Sequence, residues 1–141
     1  MPNSTTRTTP AWGLLPLRAV VGTVFLVHGG QKLFIFGLAG TSDIMGKIGI
    51  PLPMVAAAVV IATEMLGGVA ILSGLMTRWA AALLAIDMTV AIFAARLQGG
   101  FFTPYGYEFE LTLLGACVTL AVVGAGGISL DRMMAGRSPD A

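Results

Sequence analysis

Four long apolar blocks are the feature of this sequence that most constrains its fold. They occupy residues 14–36, 53–76, 79–98 and 109–126. Because a helix rises about 1.5 Å per residue, segments of about 18 to 24 residues match a hydrocarbon core about 30 Å thick. Only 11% of the residues are charged, against roughly a quarter in soluble domains. The sequence therefore predicts an all-α fold, an integral membrane four-helix bundle.

The segments between the blocks carry the residues expected of connections. GLAGTSDIMGKIGIPLP, with four glycines and two prolines, separates the first two blocks, a tight turn around Met76–Arg78 separates the next two, and GGFFTPYGYE precedes the last. We predict one transmembrane domain over 14–131, an N-terminal tail over 1–13 and a C-terminal tail over 132–141. The first block contains Lys32 and lacks an Ala-x-Ala site, so we expect it to be retained. Ser129 is expected to cap a short helix that follows the last span.

The basic residues predict the orientation. Four spans place both termini and the turn near residue 77 on one side, where the basic residues are Arg7, Arg18, Arg78, Arg132 and Arg137. The other side has Lys47, Arg96 and, if its side chain reaches the interface, Lys32. Since cytoplasmic loops carry an excess of Lys and Arg, we predict that both termini are cytoplasmic. The sequence therefore predicts a multi-pass protein of the bacterial inner membrane.

Ionisable residues inside the apolar blocks point to a buried polar cluster. His28 and Lys32 lie one helical turn apart, Glu64 and Asp87 lie near mid-span, and Glu108 opens the fourth helix. One charged side chain at mid-bilayer costs about 2.5–3.5 kcal/mol, so three would cost on the order of 8–10 kcal/mol if unpaired. We therefore predict that Lys32 pairs with Glu64 in the outer half of the bundle, with His28 beside them. Asp87 has no cation on its own face and is expected to be protonated.

Small residues share the faces of these polar residues and predict that those faces pack against other helices. At about 100° per residue, Arg96 falls opposite Asp87, which places it at the rim. The predicted faces are Arg18, Gly22, Phe25, Gly29 and Lys32 on the first helix, Ala57, Val60, Glu64, Gly68 and Ile71 on the second, Asp87, Ala91, Ala94 and Gln98 on the third, and Glu108, Thr112, Gly115 and Thr119 on the fourth.

The residue inventory excludes several classes of chemistry. The chain has one cysteine, Cys117, and one histidine, so a single protomer cannot run dithiol exchange or supply two histidines to a haem. It has no zinc or iron–sulfur spacing and no nucleotide-binding loop after a strand. The net charge of +1 gives no basic patch for nucleic acid. We expect no metal and no covalently bound cofactor, and we expect an organic ligand such as a quinone or a partner protein to complete any chemistry.

The serial order of five sequence patches resembles the DoxX family of small four-helix bacterial membrane proteins. The patches are Arg18 with GTVFLVHGGQKLF, MGKIGIPLP, TEMLGGVAILSGLMTRWAA, FFTPYGYEFELTLL and GAGGISLD. They cover about residues 18–131, and one departure is Ala125, where the family often has proline. The resemblance implies a small subunit of a membrane redox system, linked to quinones or to thiol and sulfur chemistry. It also implies that the family's polar positions are Arg18, His28, Lys32, Glu64 and Glu108 in this chain.

Three functions remain open at this point. The first is a membrane redox subunit that binds a quinone-like or small anionic ligand among Arg18, His28, Lys32, Glu64, Asp87 and Glu108. There Lys32 would face a ligand oxygen, Glu64 would hold Lys32, and His28 would relay a proton. The second is a non-catalytic anchor or assembly protein whose polar cluster only holds helices in register. The third is a small transporter. Expected partners are the lipid bilayer, a redox protein or a second copy of the chain.

Overall fold

The computed structural model describes residues 12–136, and in this range it contains helices and turns but no strand. The all-α prediction is therefore confirmed. Residues 1–11 and 137–141 lie outside the described residues. They include Arg7, Arg137 and all but the last two positions of the predicted N-terminal tail 1–13. In chain order the helices are α1 (Leu15–Gly30, continued by a π-helical segment at Gln31–Phe36), α2 (Gly37–Lys47), α3 (Pro53–Ser73), α4 (Thr77–Ala91, continued by a π-helical segment at Ile92–Arg96 and a 3-10 turn at Leu97–Gly99), α5 (Glu108–Val123) and α6 (Leu130–Met134).

Within residues 12–136, three helical runs are long and apolar enough to cross a membrane, namely Leu15–Lys47, Pro53–Ser73 and Thr77–Gly99. The fourth long helix, α5, has 16 residues and is therefore about 24 Å long. The outward faces of these helices carry large apolar side chains, which suit lipid as the surrounding solvent. Examples of such exposed side chains are Val20, Leu66, Ile86, Phe93 and Val122.

The connection between the first two spans is mostly helical, which its glycines and prolines did not suggest. Gly37 has φ 68° and ψ 172°, and Thr41 Oγ1 donates a hydrogen bond to the Lys32 carbonyl oxygen at 3.1 Å. In a straight helix these residues would be about 13.5 Å apart along the axis. The chain therefore reverses at Gly37, and α2 packs back against α3. Gly37 and Gly49, with φ 80°, delimit the segment, and the glycines between them do not interrupt it.

Glycines bring α1 and α3 into close contact. A Cβ atom built on Gly68 would lie 2.8 Å from the Gly22 carbonyl oxygen and 2.8 Å from the Leu26 nitrogen. Arg18, Gly22, Phe25 and Gly29 are all buried, so the predicted contact face of the first helix is confirmed. Small residues at such positions let two backbones approach in a membrane.

The predicted face of the fourth span is wrong. Thr112, Gly115 and Thr119 are exposed, and the buried face of α5 consists of Glu110, Leu113, Cys117 and Leu120. The physical reason lies in the threonine hydroxyls, because each donates to the carbonyl oxygen four residues earlier, at 2.8 Å for Thr112 and 2.9 Å for Thr119. A hydroxyl satisfied within its own helix needs no neighbouring helix.

The segment that contains α6 docks on the turn between α3 and α4. Ser129 Oγ accepts a hydrogen bond from the Arg132 nitrogen at 3.3 Å, so the predicted serine cap of a short helix is confirmed. The Asp131 nitrogen donates to the Gly74 carbonyl oxygen at 3.1 Å, and Asp131 Oδ1 accepts from the Met76 nitrogen at 2.8 Å. These bonds place α6 beside the turn, and we call this the α6 end of the bundle.

We expect Gly68→Ala to lower the free energy of unfolding by about 1–3 kcal/mol, because the added methyl group meets backbone atoms that cannot yield without separating α1 from α3. Gly115→Ala is the matched control, since nothing lies within 4 Å of a Cβ atom there, and it should leave stability unchanged or raise it by up to about 1 kcal/mol. Unfolding in mixed micelles with increasing dodecyl sulfate measures both. Equal stabilities for the two variants would contradict this packing.

Candidate functional site

The centre of the site is an ion pair between α1 and α3. Lys32 Nζ donates to both carboxylate oxygens of Glu64, at 2.8 Å to Oε1 and 2.6 Å to Oε2. Glu64 is only 3% exposed, whereas the Lys32 side chain is 22% exposed. The pairing predicted from the sequence is therefore present. A short two-pronged contact of this kind satisfies a carboxylate that has lost contact with water.

Gly29 allows the two helices to approach where this ion pair forms. A Cβ atom on Gly29 would lie 3.0 Å from both the Glu64 Cβ and the Met65 nitrogen. One turn later, the Lys32 side chain extends towards α3 from the start of the π-helical segment. Thr41 of α2 donates its hydroxyl to the Lys32 carbonyl oxygen, so the backbone of the cationic residue is held as well as its ammonium group.

The ion pair lies at the wall of a cavity of about 260 Å³. The cavity is at the α2 end of the bundle, opposite the α6 end. Its ionisable lining residues are His28, Lys32, Glu64, Asp87, Arg96 and Glu110, and its apolar walls include Phe25, Ile44, Met45, Ile48, Met88, Phe109 and Leu113. Ile44, Met45 and Ile48 belong to or follow α2, so the helix that the sequence did not predict covers the cavity.

Asp87 faces the ion pair from α4. Its carboxyl group interacts electrostatically with both Glu64 and Lys32, although no cation lies on its own helix face. Its Oδ2 atom is buried and has no hydrogen-bond partner among residues 12–136. The site therefore brings two acids, Glu64 and Asp87, to one ammonium group.

A second ion pair, which the sequence did not reveal, joins α4 to α5 at the same cavity. Arg96 Nε donates to Glu110 Oε1 at 2.9 Å, and Arg96 Nη1 donates to the Pro104 carbonyl oxygen at 3.2 Å. In a π-helical turn the backbone hydrogen bond spans five residues instead of four. The extra residue rotates the side chains that come after it by about 100° about the helix axis, relative to a regular α-helix. The π-helical segment that ends at Arg96 thus turns this residue from the opposite side of α4 towards the cavity, which it lines. The sequence predicted a position at the rim, and the Arg96 side chain is still 42% exposed.

Glu110 could have been found from its spacing along α5. Residues 110, 113, 117 and 120 form a helical stripe of otherwise apolar side chains, and an acid on a buried apolar stripe is expensive unless it is paired. The glycine and threonine residues on the other face favoured Glu108 instead.

His28 lines the cavity but is exposed at the bundle surface. Its ring centroid lies 5.8 Å from that of Phe109, with an angle of 44° between the planes. This contact joins α1 to α5 at the cavity opening. His28 therefore shares the cavity with Lys32 and Glu64, as expected, and its ring packs on an aromatic residue that the sequence did not single out.

Arg18 lies far from this cavity, which corrects its assignment to the polar cluster. It is 2% exposed, and its guanidinium group donates to four carbonyl oxygens at the α6 end. The acceptors are Ile71 at 2.9 Å, Leu72 at 3.0 Å, Ala125 at 2.9 Å and Ile128 at 2.5 Å. Because the last carbonyl groups of a helix lack intrahelical partners, a cation there also stabilises the helix dipole of α3. Arg18 is a structural residue.

Glu108 is also engaged outside the cavity. The Thr103 nitrogen and hydroxyl both donate to Glu108 Oε1 at 2.7 Å. Glu108 precedes the apolar stretch of α5. The two bonds from Thr103 hold the pKa of its carboxyl group below the usual value, and the bond from the backbone nitrogen has the larger effect. Glu108 therefore fixes the loop before α5, and Glu110 takes the position at the cavity that the sequence assigned to Glu108.

Within residues 12–136, no group of three His, Cys, Asp or Glu side chains is arranged to hold a metal ion. The cavity instead offers an ammonium group, a guanidinium group, an imidazole and three carboxyl groups between apolar walls. Such a set can orient a small polar organic molecule and exchange protons with it.

Comparison with protein families identifies the chain. The model of the DoxX family matches residues 13–97, more than half of the sequence. The chain belongs to the DoxX family. The matched range contains His28, Lys32, Glu64, Asp87 and Arg96, so five of the six ionisable residues of the cavity lie within the DoxX match.

Curated DoxX-like relatives cover most of the chain. A Bacillus subtilis (strain 168) protein named "Putative oxidoreductase CatD" is 37% identical over 119 residues, 84% of each chain. The Escherichia coli (strain K12) inner membrane protein YphA is 31% identical over 125 residues, 84% of this chain and 88% of that protein. Inner membrane protein YqjF of the same strain is 33% identical over 127 residues, with 86% and 92% covered. No solved structure matches the chain significantly.

These findings also define where the protein resides. Two of the relatives are inner membrane proteins, and this chain has several helices of transmembrane length and hydropathy. It is a multi-pass protein of the bacterial inner membrane. The direction in which the bundle crosses that membrane stays a prediction from the basic residues.

We expect Lys32→Met to lower the free energy of unfolding by about 3–5 kcal/mol, because it leaves the buried carboxylate of Glu64 without its cation. Adding Glu64→Gln removes the orphaned charge and should restore most of the loss. A double-mutant cycle in mixed micelles measures the coupling. If the two single variants and the double variant showed additive losses, the pair would contribute nothing to stability.

We expect Arg18→Gln to destabilise the protein by about 3 kcal/mol, since hydrogen bonds from a charged donor contribute about 1.5–3 kcal/mol each and several are lost. Arg78→Gln is the control, because Arg78 is exposed and makes one long bond, 3.4 Å to the Val123 carbonyl oxygen. That variant should change stability by no more than about 0.5 kcal/mol. Similar losses in both variants, measured by thermal unfolding in detergent, would contradict the structural role of Arg18.

Proposed function

We propose that this DoxX protein is a membrane subunit of a redox system that holds a quinone-like ligand in the cavity at the α2 end. The observation that carries the proposal is the buried Lys32–Glu64 pair with Asp87 beside it, at the wall of a cavity of about 260 Å³ whose other walls are apolar. Ionisable residues inside a membrane usually mark a functional site. The name of the Bacillus relative, "Putative oxidoreductase CatD", supports a redox role.

The charges of the cavity favour a neutral ring over a small anion. Its two permanent cations, Lys32 and Arg96, each already contact a carboxylate, and Asp87 adds a third acid. An anion would have to displace Glu64 or Glu110 from its cation and then lie close to the displaced carboxylate. A flat, neutral ligand fits between Phe109 and the aliphatic walls and requires no such exchange.

Each side chain has a defined task in this proposal. The Lys32 ammonium group donates a hydrogen bond to a ligand oxygen, and Glu64 fixes its direction. His28, at the opening, passes protons between the cavity and the water outside, while Asp87 serves as the inner proton-exchanging group. Glu110, and not Glu108, holds the far side of the cavity together with Arg96.

One observation favours a second candidate, a non-catalytic anchor. Both ion pairs join helices that neighbour each other in the bundle, Lys32–Glu64 between α1 and α3 and Arg96–Glu110 between α4 and α5. Pairs placed in this way would hold the bundle in register without any ligand. In that case Lys32→Met combined with Glu64→Gln would leave recruitment of partner proteins intact.

The transporter alternative has less support. Between the cavity and the α6 end the bundle is filled by Phe25, Ile71, Leu84 and Leu120, each no more than 1% exposed. A path through one protomer would have to cross this packed layer. Proton or anion flux into sealed proteoliposomes would be the observation in its favour.

We expect purified protein to bind duroquinone and Lys32→Met to bind it at least about 10-fold more weakly, because loss of a charge-assisted hydrogen bond costs about one such factor. Glu108→Gln is the matched control, since Glu108 bonds only Thr103 in the loop, and it should bind as wild type does. Equilibrium dialysis in detergent measures the affinities, and thiosulfate should fail to compete. Wild-type affinity in Lys32→Met would refute the assignment of Lys32, and displacement by thiosulfate would favour an anion site.

A further inference from the structure

Two buried carboxyl oxygens at this cavity have no hydrogen-bond partner among residues 12–136. They are Asp87 Oδ2 on α4 and Glu110 Oε2 on α5. The Glu110 side chain is only 10% exposed, so bulk water does not satisfy it. Buried polar atoms in folded proteins almost always have partners, and those that lack one call for an explanation. Two such acceptors beside one cavity suggest that the missing donors come from a ligand.

The bonds that Lys32 and Arg96 make at this cavity are directed at other oxygens. One of the three N–H groups of Lys32 stays available to a ligand oxygen. Glu110 Oε1 accepts from Arg96 Nε at 2.9 Å, and this bond leaves Oε2 as the unpaired oxygen. Lys32 Nζ is directed at both oxygens of Glu64, and Asp87 is left without a direct bond to it. The terminal torsions of Asp and Glu side chains are soft, so both carboxyl groups can turn towards a group bound in the cavity.

We infer that the cavity binds its ligand preferentially in the reduced, hydroxyl-bearing form, as an aromatic diol that donates to Asp87 and Glu110. The inference rests on the proposed function and names the form of the ligand that the site takes. A dione has only acceptor oxygens, and it can bond Lys32 but would face the carboxyl oxygens of Asp87 and Glu110 without a proton to share. A diol places an O–H donor at each ring oxygen. It therefore satisfies acceptors that are buried and have no partner among the described residues.

Glu110 and Arg96 thereby gain a role in recognition. Arg96 is the positioning residue, because its bond to Oε1 fixes which Glu110 oxygen stays available. The π-helical segment Ile92–Arg96 sets this arrangement by turning Arg96 towards α5. The selectivity of the cavity then depends on α4 and α5 as much as on the Lys32–Glu64 pair.

The test compares durohydroquinone with duroquinone under anaerobic conditions, using equilibrium dialysis of the full-length protein in detergent. Wild type should bind the diol at least about 10-fold more tightly than the dione, since one hydrogen bond to a charged acceptor corresponds to about that factor. Glu110→Gln keeps the side-chain shape, and because Arg96 Nε holds the remaining amide oxygen, the NH₂ donor lies where the open acceptor lay. This variant should abolish the preference or reverse it towards the dione. Asp87→Asn replaces one of two acceptor oxygens with an NH₂ donor and should reduce the preference. Glu108→Gln, whose carboxyl group bonds Thr103 outside the cavity, should keep the wild-type ratio.

The outcomes separate this inference from the proposed function. If wild type binds both forms equally while Lys32→Met weakens both, the proposed site stands and the preference for the diol is overturned. If the preference persists in both Glu110→Gln and Asp87→Asn, the assignment of the two acceptors is overturned. If wild type binds neither form, both proposals fail. Loss of the preference in either amide variant, with a folded protein by thermal unfolding and an unchanged Glu108→Gln ratio, supports the inference.

Discussion

The ion pair between Lys32 and Glu64 is the interaction on which the rest of this structure depends. A charge in the apolar interior of a membrane bundle is tolerated only when its partner is held at hydrogen-bonding distance, and here both carboxylate oxygens are contacted within 2.8 Å. That contact requires α1 and α3 to approach closely, which explains why Gly29 faces Glu64. The same approach leaves space between these helices and α4, where Asp87 and the cavity lie.

The buried charged side chains at the two ends of the bundle differ in how they are hydrogen-bonded. At the α6 end, Arg18 is surrounded by four backbone carbonyl groups, so its hydrogen-bonding capacity is used within the fold. At the α2 end, Asp87 and Glu110 each keep an oxygen without a partner in the described part of the chain. An arginine whose donors reach four backbone carbonyl groups stabilises the fold, whereas carboxyl oxygens left open beside a cavity are suited to binding.

Apolar blocks of transmembrane length predicted the all-α fold, and small residues predicted the buried face of α1. The cost of charge in lipid predicted the Lys32–Glu64 pair. The second ion pair was not predictable, because the π-helical segment that ends at Arg96 changes the phase that regular 100° spacing assumes. The buried face of α5 was missed for a different reason. The Thr112 hydroxyl donates within its own helix. This threonine therefore lies on the exposed face of α5, although the sequence pattern placed it on the face that contacts other helices.

The reversal of the chain at Gly37 has a consequence for how such cavities diversify. The lid formed by α2 is part of a connection between spans, and no side chain crowds Gly37 or Gly49 at its two boundaries. Substitutions or length changes in this lid can alter the shape and depth of the chamber while the packed transmembrane core keeps its geometry. A single scaffold can in this way present different ligand pockets to the same pair of charges.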